Sequence, residues 1–143
     1  MTAETALKSG SSSISESEAK VLLASYERLF STKDIPAIMA GFSEDVSVKF
    51  ADQPELHGKP ALEAFLTARF ARQTGYRLTK TLRCVAGNLV VGTWDGDWTD
   101  AKTGKRMLGR GTELLYLQDG LCTKWDATFN TWEEGAGPST PLT

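Results

Sequence analysis

Cysteine and histidine are scarce in this chain, with two cysteines, Cys84 and Cys122, and a single histidine, His57, among 143 residues. The cysteines do not have metal-ligand spacing, so the usual sulfur and nitrogen ligands of a zinc or iron site are missing. We therefore expect no metal and no cofactor. Both cysteines are interpreted as buried free thiols of a reduced, cytoplasmic protein.

The chain also lacks an excess of charge of one sign and lacks long hydrophobic runs. Its 16 Lys and Arg residues face 18 Asp and Glu residues, which gives a formal net charge of −2. This balance argues against binding to nucleic acid or to a membrane surface. No apolar run near the N-terminus has the length of a signal sequence or a membrane span. A small molecule or another protein is the expected partner.

Apolar residues are sparse at both ends. Residues 1–14 and the C-terminal stretch "GAGPSTPLT" consist mainly of small and polar residues that cannot bury enough apolar surface to offset the entropy of ordering. We predict a disordered N-terminal tail over 1–14, one folded domain over 15–134, and a flexible tail over 135–143.

The first half of the domain is predicted to be helical. Ser15 and Glu18 form a capping box before apolar residues at helical spacing, and Asp34 and Pro60 mark two further helix starts. These patterns predict helices over 15–31, after Asp34, and from Pro60 to Gly75, with a short strand over 46–50.

The second half reads as strands. Four long segments with strand composition follow Gly75 and are separated by short turn sequences. Such an order predicts an antiparallel meander, and helices segregated before it predict an α+β fold. With the three helices packed on one face, the sheet would curl into a cone with an internal pocket.

This order of elements, with "HGKPALEAFLTARFAR" as the third helix and "QDGLCTKW" at the last hairpin, resembles the nuclear transport factor 2-like superfamily over about residues 20–132. That superfamily includes ketosteroid isomerases, scytalone dehydratase, limonene epoxide hydrolase and SnoaL-type polyketide cyclases. The stretches "AFLTARFARQTGYRLTKTL" and "GTELLYLQDGL" resemble a bacterial and fungal subgroup to which no function is assigned. The resemblance implies the cone fold, but the fold hosts both enzymes and binding modules.

The resemblance also implies site residues. In the ketosteroid isomerases the acid of the oxyanion hole lies on the third long strand, and Glu113 stands at that position. Tyr26 falls on the segment that bears the catalytic tyrosine, whereas Phe50 occupies the position of the general base. The isomerase mechanism is therefore not inherited. The same alignment turns one set of last-strand residues inward, namely Lys124, Asp126, Thr128 and Asn130, and sends Trp125, Ala127 and Phe129 to the convex face.

Glu113 is also the most informative residue on physical grounds. It stands in the apolar run "ELLYL", and a carboxylate in such surroundings either finds a partner or stays protonated. A buried ion pair with Lys124 or Arg110 is one outcome. The other is a neutral Glu113 near an ionised Asp126, which is the arrangement that general acid and base chemistry needs.

In the stretch "VVGTWDGDWTD", successive side chains of the predicted strand point to opposite faces of the sheet. Trp94 and Trp98 share one face, and the resemblance turns that face inward, where the indoles would form ligand walls. The aspartates Asp95 and Asp97 go to the convex side. Three further residues are expected near the ligand: Leu115 and Phe50 in the wall, and His57 at the rim of the cone.

The third long strand is apolar on both faces. Leu115 and Leu117 lie on one face, and Leu114 and Tyr116 on the other. Because helices cover only one face, an apolar second face predicts burial by another subunit. We expect a homodimer through the convex face.

Two functional hypotheses follow. In the first, the domain binds a compact, apolar small molecule and is a cofactor-independent enzyme that transfers protons, as an isomerase, dehydratase, cyclase or hydrolase. Glu113 would be the acid, Asp126 the base and Tyr26 a third catalytic group. In the second, the chain is a non-catalytic dimeric carrier or protein-interaction module. The enzyme hypothesis requires a carboxylate with a shifted pKa and no fixed counter-ion, so a permanent Arg or Lys bridge to Glu113, or the lack of a cavity between the helices and the sheet, would contradict it.

Overall fold

The helices begin where the sequence predicts. In the computed structural model, which describes residues 13–143, they are α1 (Glu16–Thr32), α2 (Ile35–Met39) and α3 (Lys59–Arg72). Ser15 and Glu18 form the predicted capping box, with reciprocal hydrogen bonds of 3.0 and 3.1 Å. Asp34 caps α2 through a hydrogen bond to the Ala37 amide.

The third helix ends at Arg72, earlier than predicted. Gln73 is already extended, with φ −99° and ψ 102°, and begins the next strand. Gly75 has φ +62° and lies where the pairing of that strand is irregular. Its positive φ therefore serves a strand irregularity and not a helix end.

Six strands form one sheet: β1 (Phe42–Phe50), β2 (Leu56–His57), β3 (Gln73–Ala86), β4 (Leu89–Asp100), β5 (Arg106–Gln118) and β6 (Leu121–Glu133). Their spatial order is β2-β1-β6-β5-β4-β3. The last four form the predicted antiparallel meander, and β1 joins it in parallel with β6. The sheet is curved and unclosed, and the three helices pack on it, which confirms the α+β cone.

The segments at both ends of the described residues contact the domain. The predicted N-terminal tail falls mostly outside the described residues, and within them the Ile14 amide donates to the Gly87 carbonyl at 3.0 Å. Near the other end Asn130 Nδ2 donates to Ser139 Oγ at 2.9 Å. The predicted domain boundaries stay a prediction.

Cys122 is buried, but Cys84 is exposed, so the interpretation of both thiols as buried was wrong for Cys84. Among the described residues no helix is long and apolar enough to cross a membrane.

Candidate functional site

A small cavity, here called the inner cavity, lies between the helices and the concave face of the sheet. Its volume is about 50 Å³, which has room for a few water molecules. Aromatic rings dominate its wall, and among the described residues no carboxylate lines it. The lining residues are Phe30, Phe50, Phe65, Leu66, Arg69, Tyr76, Leu78, Lys80, Trp94, Trp125, Ala127 and Phe129.

A buried ion pair borders this cavity. Lys80 Nζ lies 2.5 Å from Glu113 Oε2, and the two side chains are only 3% and 1% exposed. The second carboxylate oxygen of Glu113 accepts a hydrogen bond of 3.2 Å from the indole of Trp125. The ammonium also lies 5.7 Å from the ring centroid of Phe30 and 6.0 Å from that of Trp125. Hydrogen bonding and aromatic contacts thus compensate for the desolvation of both charges.

A glycine allows this pair to form across a strand. On β4, Gly92 stands directly opposite Glu113 of β5 and Leu82 of β3, while Lys80 stands opposite Trp94. Lys80 and Glu113 are therefore diagonal neighbours across Gly92, which presents no side chain between them. A Cβ at Gly92 would lie 3.3 Å from Leu23 and 3.7 Å from Glu113 Cγ. The glycine leaves the space that the ion pair uses.

The sequence correctly indicated that Glu113 is buried, but the expected partner was wrong. Glu113 pairs with Lys80, whereas Lys124 and Arg110 are exposed. The signal for Lys80 was present in the alternation of β3, because Lys80 has the same parity as the buried residues Tyr76 and Leu78.

The predicted proximity of Glu113 and Asp126 was also wrong. Glu113 pairs with Ala127, and Asp126 pairs with Leu114. Directly opposed residues of an antiparallel pair share a face, so Asp126 lies on the outer face of the sheet. The same holds for Lys124 and Thr128, which are exposed and do not line the inner cavity.

One irregularity in the pairing explains this reversal. The register shifts between Tyr116, which pairs with Lys124, and Leu117, which pairs with Cys122. β6 therefore carries one extra residue at Thr123, and a one-residue slip exchanges the two faces of a strand. Beyond the shift the inward residues are the ones expected on the convex face: Trp125, Ala127 and Phe129.

Tyr26 lies in the hydrophobic core. It is 5% exposed, its ring stacks on Phe42 at 5.9 Å, and it does not line the inner cavity. Its buried hydroxyl has no hydrogen-bond partner among the described residues. Burial raises the pKa of Tyr26 far above its ordinary value, and nearby Cys122 and Glu113 add to the shift.

The remaining candidates occupy different places. Trp94 and Phe50 line the inner cavity, and Trp98 lies inward near the open end. Leu115 is fully buried but does not reach the cavity. His57 lies on β2 with an exposed side chain, 3.9 Å from Glu55, and Asn130 lies at the open end.

Beside the inner cavity is a large open depression, here called the outer depression. Its volume is about 790 Å³, and it includes Trp98, Gln73 and the Arg72–Asp100 ion pair. Three residues line both spaces, namely Phe65, Arg69 and Phe129. These side chains form the partition that separates the inner cavity from the outer depression.

Burial alters the acidity of two groups near the cavity. It raises the pKa of Tyr76, which lines the inner cavity, to about 12, and that of the Cys122 thiol to about 12. Both groups are therefore protonated at neutral pH. Over residues 13–143 no group of three or more His, Cys, Asp or Glu residues could hold a metal ion.

The sequence also matches a known protein family. The sequence model of the SnoaL-like domain matches residues 22–125, which is most of the chain. The chain belongs to the SnoaL-like domain family. No curated protein sequence matches it.

Several solved structures have a fold similar to that of this chain. A protein of Xanthomonas campestris pv. campestris, provisionally described as a polyketide cyclase, has a TM-score of 0.70 at 21% identity, with 78% of this chain and 90% of that chain covered. The epoxide hydrolase/cyclase-like enzyme SalBIII, with a role in pyran ring formation in salinomycin, has a TM-score of 0.71 at 16% identity, with coverage of 80% and 92%. A ketosteroid isomerase-like protein of Erwinia carotovora atroseptica has a TM-score of 0.66 at 20% identity, with coverage of 73% and 87%. At these identities the likeness establishes the fold alone.

Proposed function

We propose that this SnoaL-like chain binds a small, mainly apolar molecule in its cone, with Lys80 as the polar group at the inner end of the site. The observation that carries the proposal is Lys80 in the wall of a cavity whose other lining residues, apart from Arg69, are aromatic or aliphatic. A buried cation in such a wall gives a ligand oxygen a hydrogen-bond donor in a medium of low dielectric constant.

We propose that the ligand enters the inner cavity through the partition. The inner cavity is too small for an organic ligand in its present form, but Phe65, Arg69 and Phe129 line both this cavity and the outer depression. Rotation of Phe129 and Arg69 would join the two spaces. Aromatic and long flexible side chains can rotate in this way without any movement of the sheet backbone.

The chemistry proposed for the site is proton transfer without a cofactor. Held in place by Glu113, the ammonium of Lys80 would donate a hydrogen bond to a ligand carbonyl oxygen and serve as the general acid that transfers a proton to it. This assignment replaces Glu113 and Asp126 as an acid and base pair, because those residues lie on opposite faces of the sheet.

A non-catalytic carrier is the second candidate, and one observation favours it. Both oxygens of Glu113 are engaged, by Lys80 and by Trp125, and this fixed lysine bridge contradicts the form of the enzyme hypothesis in which Glu113 is the acid. Substitution of Lys80 separates the two candidates: turnover by an enzyme would be lost, whereas a carrier would keep most of its affinity for an apolar ligand.

Binding can be tested with a neutral probe, 3-phenylpropanol, followed by NMR or calorimetry. Ala127 lines the inner cavity, so Ala127→Leu fills it, while Thr128→Leu adds a similar side chain on the exposed face. We expect affinity to fall about tenfold or more in Ala127→Leu, equivalent to at least ~1.4 kcal/mol, and to be unchanged in Thr128→Leu. Equal effects of the two substitutions, or no binding to the native chain, would contradict the proposal.

A homodimer through the outer sheet face also remains a proposal. Leu114 and Tyr116 are half-buried there, although Trp125 and Phe129, which were expected to contribute, point inward. Light scattering after size-exclusion chromatography should give twice the monomer mass, and Leu114→Glu should give a monomer. A native chain that stays monomeric at high concentration would contradict this.

A further inference from the structure

Arg69 is a cation without an acceptor. It projects from α3 between the rings of Trp98 and Phe129, with its guanidinium carbon 5.7 Å from each ring centroid. Within residues 13–143 its side chain forms no hydrogen bond and no ion pair. Arg72, one turn later, holds Asp100 through two hydrogen bonds of 2.9 and 2.8 Å. A half-buried guanidinium with unused donors is costly to maintain, which points to a ligand as the missing acceptor.

Gln73 provides a second and independent observation. It is 2% exposed, and neither the nitrogen nor the oxygen of its side-chain amide has a partner among the described residues. Buried amides are normally satisfied, so an unsatisfied one needs an explanation. Gln73 lines the outer depression together with Arg69.

The end of α3 places these two residues one turn apart. The Gln73 amide N–H donates to the Arg69 carbonyl, which keeps the residues on adjacent turns. A helix C-terminus carries partial negative charge and would repel an anion. Here Lys33 offsets that charge, because its ammonium donates to the carbonyl oxygens of Phe70, at 2.9 Å, and of Gln73.

The charge balance favours a monoanion. Three cations, Arg69, Arg72 and Lys102, and two anions, Asp52 and Asp100, line the outer depression, which gives it a net charge of +1, and Arg72 is paired with Asp100. This net charge and the free guanidinium of Arg69 match a carboxylate, which accepts two parallel hydrogen bonds from arginine. A phosphate dianion would exceed the net charge of +1, and the two aspartates would repel it. Burial lowers the pKa of Arg69, which a bound anion would offset.

We propose that Arg69 and Gln73 form a subsite for the carboxylate of an apolar carboxylic acid whose hydrocarbon part enters the inner cavity. The proposal rests on the proposed function, because it names the class of ligand for the same site. Arg69 belongs to the partition, so binding of the carboxylate would also draw its side chain away from the cavity entrance. The anionic group would lie in the outer depression, and the reactive or apolar part of the ligand would face Lys80.

The test compares two ligands of the same carbon skeleton, 3-phenylpropionate and 3-phenylpropanol. We expect the acid to bind the native chain about tenfold more tightly than the alcohol, because its carboxylate gains one charge-assisted bidentate contact with Arg69. Arg69→Gln should remove this preference, so that the acid binds no more tightly than the alcohol. Gln73→Leu should reduce the preference severalfold. Arg110→Gln, which removes an exposed charge from β5, should preserve it.

Two negative results are distinguishable. If neither ligand binds the native chain, the proposed function is contradicted together with the subsite. If both bind with equal affinity, or if Arg69→Gln and Arg110→Gln have the same effect on the acid, only the carboxylate subsite is contradicted. Circular dichroism of each variant establishes that it is folded before affinities are compared.

Discussion

Lys80 and Glu113 form an ion pair of 2.5 Å in which both side chains are almost completely buried. Removal of one partner would leave an uncompensated charge in the core, which typically costs about 3–5 kcal/mol. We expect Lys80→Met and Glu113→Leu each to lower the free energy of unfolding by about that amount. The double variant should be far less destabilised than the sum of the two. Denaturant unfolding of the four proteins measures this coupling.

The exposed pair of Lys105 and Glu133, at 3.2 Å, is the matched control, and its coupling should be only about 0–1 kcal/mol. Additive effects of Lys80→Met and Glu113→Leu would mean that the two groups do not interact as the structure indicates.

Gln73→Leu should stabilise the ligand-free protein. The substitution keeps the size of a buried side chain and removes two polar atoms that have no partner among the described residues. The free energy of unfolding should rise by about 1–3 kcal/mol. Gln53→Leu, at an exposed position, should change it little. A loss of stability in Gln73→Leu would imply that the amide is satisfied in solution, and would remove one support of the carboxylate subsite.

Tyr26→Phe should leave both stability and binding intact. The Tyr26 hydroxyl is buried without a partner and lies outside the inner cavity, so its removal should change the free energy of unfolding by no more than about 1 kcal/mol, toward greater stability. Affinity for 3-phenylpropanol should equal that of the native chain. A large loss of binding or turnover would instead favour the catalytic role that family resemblance implies for Tyr26.

Acid stability should depend on Asp100. The hydrogen bonds from Arg72 lower the pKa of this carboxyl from 3.8 to about 2. Because the folded-state pKa is the lower one, the pair stabilises the protein above about pH 4, and this contribution is lost as the pH falls from 4 toward 2. Unfolding measured across that range should show a shallower decline in Asp100→Asn than in the native chain. Asp52→Asn controls for the loss of one exposed carboxylate, and equal slopes in all three proteins would refute the assignment.

The sequence predicted the fold and part of the site, since both depend on local patterns. Capping residues and apolar spacing located the helices, and alternation on β4 put Trp94 and Trp98 on one face, which the family resemblance turned inward. The burial of Glu113 followed from its apolar neighbours. Apart from that orientation, each inference used only residues that are adjacent in the chain, where physical preferences are read directly.

The parts that failed depend on pairing between strands. A single extra residue at Thr123 reverses the face of every later residue in β6, and no composition signal marks it. The partner of Glu113 lies 33 positions away on β3 and is reached across Gly92. Arg69 and Gln73 gave no signal either, because an unsatisfied buried group is recognised only once its surroundings are known.

The most direct test of the account is an NMR titration of the four tryptophan indole N–H signals with 3-phenylpropionate. Trp94 and Trp125 line the inner cavity and Trp98 the outer depression, whereas Trp132 lies on the opposite face of the sheet, beside Leu108. The account predicts that the first three signals shift together with one dissociation constant and that Trp132 does not move. Shifts confined to Trp132, or the absence of any shift at saturating acid, would contradict the binding of an apolar acid in the cone.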